Sequence, residues 1–154
     1  MFDQLADYTI PVFHPIVVHF PVALAVLALI PALLWLMRDR VRWLGITLAA
    51  EVLAFIGAYV ALETGETLEH ESEGVTIVDQ FVHLHETMAE RAMWVIGITC
   101  VALIFAAWWG RRDLSRPGVH LGIRIAGFLL VVAAAILIGL TAHIGGIMTW
   151  GVPS

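Results

Sequence analysis

The sequence contains no lysine and a single cysteine, and only 14% of its 154 residues are charged. An ordinary soluble domain carries about 25% charged residues, so this scarcity excludes that class. Cys100 alone excludes a disulfide framework and a CxxCH haem-attachment site, and its apolar surroundings imply a small buried thiol. The opening MFDQLADYTIP has no basic region and carries Asp3 and Asp7. No cleavable signal peptide is therefore expected, and the first apolar segment should be retained. Also missing are a phosphate-binding glycine loop and a nucleophile beside a base, which leaves no case for nucleotide or hydrolytic chemistry. With a net charge of −5, a nucleic-acid role is not expected either.

What is present is apolar. Hydrophobic residues make up 60% of the chain and gather in four runs, about 12–37, 43–62, 87–109 and 125–148. Each approaches the roughly 20 residues that a helix needs to cross a hydrocarbon core of about 30 Å. The expectation is an all-α integral membrane four-helix bundle, one domain over residues 1–154, surrounded by the lipid bilayer of a bacterial inner membrane. Arg38, Arg40 and Arg42 lie between the first two runs, and Arg111, Arg112, Arg116 and Arg124 between the last two. By the positive-inside rule those connections are cytoplasmic. Both termini, and the acidic connection that begins at Glu63, then face the periplasm. Thr76 and Asp79 suggest a helix start, so the third helix should run from near Ile77 to Trp109 with its first two turns above the outer surface. Trp35, Trp43, Trp108, Trp109 and Trp150 fit an interfacial belt, whereas Trp94 lies deeper and should serve packing. No sequence repeat is visible, although the short loops imply two hairpins side by side.

Histidines supply the candidate chemistry. The stretch PVFHPIVVHFP places His14 and His19 among Pro11, Pro15 and Pro21. Pro15 suits a first helical turn, and Pro21 removes a backbone donor and should bend the helix. At about 1.5 Å per residue, His19 and His143 both stand about 27 Å above the inner ends of their helices, with His14 at about 34 Å and His85 at about 36 Å. His83 lies one step higher, and His70 and His120 read as solvated loop residues. Four histidines, His14, His19, His85 and His143, thus gather near the outer face, where polar groups inside a membrane tend to mark function. Around His143 the small residues Ala135, Gly139 and Gly146 recur at helical spacing, with Gly145 beside them. They suit either close helix packing or a slot for a flat macrocycle. Arg91 is placed to pair with a haem propionate or with Glu63 or Glu66. Histidines between helices suit six-coordinate haem b, and a copper, zinc or iron ion on the same four residues is the alternative. One haem at the outer end is the simplest arrangement, so electron transfer across the whole membrane by this chain alone is not expected. Glu51, about 12 Å above the inner end of the second span, suggests a proton relay, a quinone pocket or a protonated glutamate bonded to a neighbouring helix.

The stretches FHPIVVHFPVAL and TAHIGGIMTWG resemble an uncharacterised bacterial family of small four-span membrane proteins, a domain of unknown function. His14, Pro15, His19, Phe20 and Pro21 match its HPxxVHFP start, His85 its histidine at the head of the third span, and Thr141, His143, Gly145 and Gly146 its GHxGGxL-like end. Ala142 stands where a glycine is usual. Some members are joined to c-type cytochrome domains, so the resemblance implies respiratory electron transfer. The leading expectation is a cytochrome b-like electron-transfer protein or subunit, rather than a stand-alone enzyme, meeting a c-type cytochrome or quinone. A membrane metal-binding protein and a haem-free structural subunit of a larger membrane complex are the alternatives.

Overall fold

The computed structural model describes residues 14–71, 74–112 and 119–151, and its elements are all helical. The segment with Pro11, Glu73 and the turn at 116–118 lie outside the described residues. A short α1 (His14–Val17) leads into α2 (His19–Arg38), followed by α3 (Val41–Glu71), α4 (Thr76–Arg112) and α5 (Leu121–Trp150). Four candidate membrane spans result, the first formed by His14–Arg38 together.

The break between α1 and α2 falls at Val18, upstream of the proline that causes it. Pro21 has no N–H for the Val17 carbonyl and its ring crowds that oxygen, so regular helix fails there. The flanking bonds register the fault: Val18 N–H to His14 O is 3.0 Å, but Val22 N–H to Val18 O stretches to 3.5 Å. Pro15 occupies the first turn of α1, where its missing donor costs nothing. Beyond Leu62 the acidic connection is helix rather than loop as far as Glu71, because it holds no proline and Gly65 alone does not stop a helix; Gly74 then has a φ of +88°. His70 therefore belongs to the last turns of α3. On the other side of Gly74, α4 begins at Thr76, one residue before the expected start.

Each long helix packs on two neighbours in the order α2, α3, α4, α5, with α5 closing on α2. Connections this short make the helices antiparallel. Large apolar side chains such as Leu27, Ile30, Val101 and Leu129 are exposed around the outside, as lipid requires, while the interior is rich in alanine, which lets the backbones approach. Two buried clusters fill it. One, toward the histidine end, contains Ala25, Ala54, Ala58, Ala92, Ile96, Cys100, Ala134 and Ile138. The other, toward the arginine end, contains Ala28, Ala32, Trp35, Leu44, Leu103, Ala106, Val119 and Val131. Between them lie three buried polar residues, Thr47, Glu51 and Thr99. Trp35 is not an interfacial residue: it is 1% exposed and caps the second cluster, because Gly127 leaves room for its ring. Trp94 is 66% exposed and turns away from the interior.

The bundle is built from two equivalent hairpins. A shift of 71 positions carries the buried Pro21, Ala25, Ala28, Ala32 and Trp35 of α2 onto Ala92, Ile96, Thr99, Leu103 and Ala106 of α4, which are all buried. A shift of 80 carries the buried Thr47, Glu51, Ala54 and Ala58 of α3 onto the buried Gly127, Val131, Ala134 and Ile138 of α5. Large and small exchange between the halves, Trp35 with Ala106 and Thr47 with Gly127, so the repeat survives in burial and not in residue identity.

At the arginine end the hairpins are clamped by Asp39, which ends α2 in the left-handed region at φ +45°. Its carboxylate accepts the Val119 N–H at 3.1 and 3.2 Å, and Arg124 lies 3.8 Å away while donating to Leu36 O at 2.7 Å. Asp39→Ala is expected to lower stability by about 1–3 kcal/mol, since it orphans a partly buried N–H and puts a β-carbon residue without polar compensation into a left-handed turn. Asn at the same place should cost less, and thermal unfolding in detergent will rank the two.

Candidate functional site

At the other end of the bundle the two hairpins bring His14 and His85 together. Their ring centroids are 6.5 Å apart and their planes cross at 79°. Both side chains are partly buried. Each ring is fastened by a carbonyl of the other helix in its own hairpin: His14 Nδ1–H donates to Ala61 O at 2.9 Å, and His85 Nδ1–H to Thr141 O at 3.1 Å. Thr64 Oγ1 also lies 3.2 Å from His14 Nδ1, its own proton being directed to Val60 O or Ala61 O. A carbonyl only accepts, so Nδ1 carries the proton and Nε2 keeps its lone pair. Neither Nε2 has a hydrogen-bond partner among the described residues.

The two seats share one design. One turn past each accepting carbonyl stands a glycine, Gly65 after Ala61 and Gly145 after Thr141. A β-carbon on Gly65 would come within 3.2 Å of His14 Cε1, and one on Gly145 within 3.1 Å of His85 Cε1. Side chains on a helix lean back over the preceding turn, so any larger residue at these positions would cover the carbonyl that the imidazole needs. The seats obey the same shifts as the core, since His85 follows His14 by 71 positions and Gly145 follows Gly65 by 80.

Other sequence-derived candidates stand elsewhere. His19 is exposed, with its ring bonded to the Pro15 carbonyl, and His143 is exposed on α5. Under the two shifts their counterparts are Glu90 and Glu63, not histidines. Gly139 and Gly146 have no atom within 4 Å of a built β-carbon, so they face open space rather than a packed helix. Arg91 is exposed. His83 is exposed 3.8 Å from Glu86, and His120 is exposed immediately before α5. Sequence reasoning did not single out Ala61, Thr64 and Gly65, because Ala61 was one more apolar residue at the end of the second span and Thr64 and Gly65 fell in the assumed acidic loop. The signal available was the parallel between ALETG and TAHIG, each ending on glycine at the same distance from a usable carbonyl.

Residues 10–152, which take in every helix and both histidine seats, match the family described as predicted membrane protein (DUF2231). The chain belongs to the DUF2231 family. No curated protein and no solved structure matches this DUF2231 chain. Its seats are part of the family's domain and not an appendage to it, because the matched stretch begins before His14 and ends after Gly145.

Proposed function

We propose that this DUF2231 protein holds one haem b between His14 and His85 and acts as a cytochrome b-like electron-transfer protein or subunit. The observation that carries the reading is the equivalence of the two histidines: the same residue, the same tautomer and the same carbonyl-and-glycine seat occur once in each hairpin. A haem b would be held by His14 and His85, each giving one imidazole nitrogen to the iron. Two imidazoles that share one metal at bonds of about 2 Å have ring centroids on the order of 6 Å apart. The pair here stands at 6.5 Å with both Nε2 atoms uncommitted.

The donor set favours haem over a bare zinc ion. Structural zinc takes four protein ligands, and among the described residues no third His, Cys, Asp or Glu completes a cluster. A haem bound here would supply one-electron chemistry, its potential set by the two axial imidazoles. The chain's part is to orient those imidazoles through the Ala61 and Thr141 carbonyls, whose bonds to Nδ1–H make the opposite ring nitrogen more basic. Glu63 and Glu66 stand on the stretch of α3 that carries Ala61 and Gly65, and Glu86 and Glu90 follow His85 on α4; with the histidine end on the periplasmic side they would steer a cationic partner such as a c-type cytochrome.

The reduced-minus-oxidised visible spectrum of detergent-purified protein, with elemental analysis of the same sample, tests the reading. Sharp reduced α and Soret bands with one iron per chain are expected. Copper with no such bands would replace haem by a metal ion on the same pair, and a sample with neither, after expression with ample haem, would leave a structural subunit.

A further inference from the structure

Glu51 is 0% exposed, and both of its carboxyl oxygens are buried without a hydrogen-bond partner. It lies one turn beyond Thr47 on the same face of α3, and across the seam α4 presents Thr99 and Cys100, the latter within electrostatic reach of the carboxyl. Apart from Cys100, no other titratable side chain occurs along the middle of the four spans; Tyr59, about two turns farther along α3, is exposed. Residues 20–37 of α2 have none, nor have residues 125–142 of α5, and α4 carries only Cys100 between Arg91 and Arg111.

Apart from the weak Cys100 S–H, the hydrogen-bonding inventory of this layer is one-sided. Thr47 donates its hydroxyl proton to Trp43 O at 2.9 Å, and Thr99 donates to Val95 O at 2.7 Å. Both threonine oxygens therefore face the layer with lone pairs only, and the two glutamate oxygens add more acceptors. An ionised carboxylate sealed among acceptors is prohibitive, so the neutral acid is the resting form. Its one proton leaves at least one further acceptor unmet, the kind of buried group that proteins commonly satisfy with an internal water.

The repeat shows that the fold does not need this layer. The counterparts of Thr47, Glu51 and Thr99 in the other hairpin are Gly127, Val131 and Ala28, all buried and all apolar. A valine holds the equivalent place, so the polar triad serves something other than packing. We propose that Glu51 is a proton-binding site inside the membrane, protonated at rest and exchanging its proton with bulk water through the Thr47–Thr99 layer. In the exchange the carboxyl O–H bond breaks, the proton passes to a water oxygen, and the carboxylate is reprotonated from that same water. This inference does not rest on the haem reading, and its test needs no cofactor.

The test is infrared spectroscopy of the full chain in lipid nanodiscs. A protonated-acid C=O band is expected near neutral pH, shifting in D2O and lost in Glu51→Gln while Cys100→Ser retains it. Thr99→Val, which removes an acceptor from the layer, should slow the deuterium shift by about tenfold. If no acid band depends on Glu51, or if the band never shifts in D2O, the proposal fails, because Glu51 is then ionised or sealed. Should Glu51→Gln not fold, Glu51→Asp decides: a displaced band supports the assignment, and an unmoved band overturns it.

Discussion

His85→Ala and His14→Ala are each expected to abolish the low-spin haem spectrum, while His19→Ala and His143→Ala leave it in place. One imidazole cannot maintain six-coordination, and His19 and His143 are not seated against a carbonyl of the other helix in their hairpin as His14 and His85 are. The contrast is sharp because His19 and His143 fall on the same sequence motifs as the proposed ligands and their surroundings yet lie exposed, with Glu90 and Glu63 as their counterparts. Glycine at position 14 or 85, with imidazole added to the buffer, should restore the spectrum, since the carbonyl and the space for the ring survive. Retention of the low-spin bands in the His85 variant would remove the ligand assignment.

Trp35→Ala is expected to be the most damaging core substitution, costing about 3–5 kcal/mol. The ring is 1% exposed and fills the arginine-end cluster against Gly127 and Leu103. A β-carbon on Gly127 would come 2.8 Å from the ring edge, so the indole is already held at contact from that side. The void is too large for the neighbours to fill without moving, because the matching position in the other hairpin is Ala106 and four of the eight buried members of the cluster are alanine or valine other than Ala106, while Leu44 and Leu103 are already fully buried. Thermal unfolding in one detergent at fixed pH measures the loss; a change below about 1 kcal/mol would mean that the bundle collapses onto the vacated space.

Much of the architecture was legible because lipid leaves few choices: four apolar runs, arginine-marked connections and proline punctuation fix the helices and their order. The level shared by His14 and His85 was legible too, as a matter of rise per residue. The seats were not. A histidine's bond to a backbone carbonyl leaves no mark in side-chain identity, and Gly65 was hidden by charges that looked like loop but continue α3. Helix propensity outweighed polarity there. Gly139 and Gly146 show the limit of spacing alone: it puts small residues on one face, but it does not say whether that face meets a helix or open space, and here it is open space. The repeat escaped notice because its halves conserve where side chains are buried, and exchange large for small.

The way the rings are fastened has a consequence for how the protein is made. His14 is fixed by α3 and His85 by α5, so each imidazole takes its tautomer from a partner within its own hairpin, as soon as that hairpin has inserted. Neither half alone holds both imidazoles. Seating each ring is thus separated from pairing the two: the chain can complete each half while it is being synthesised, and only the meeting of the halves assembles the pair to which the proposed haem is assigned.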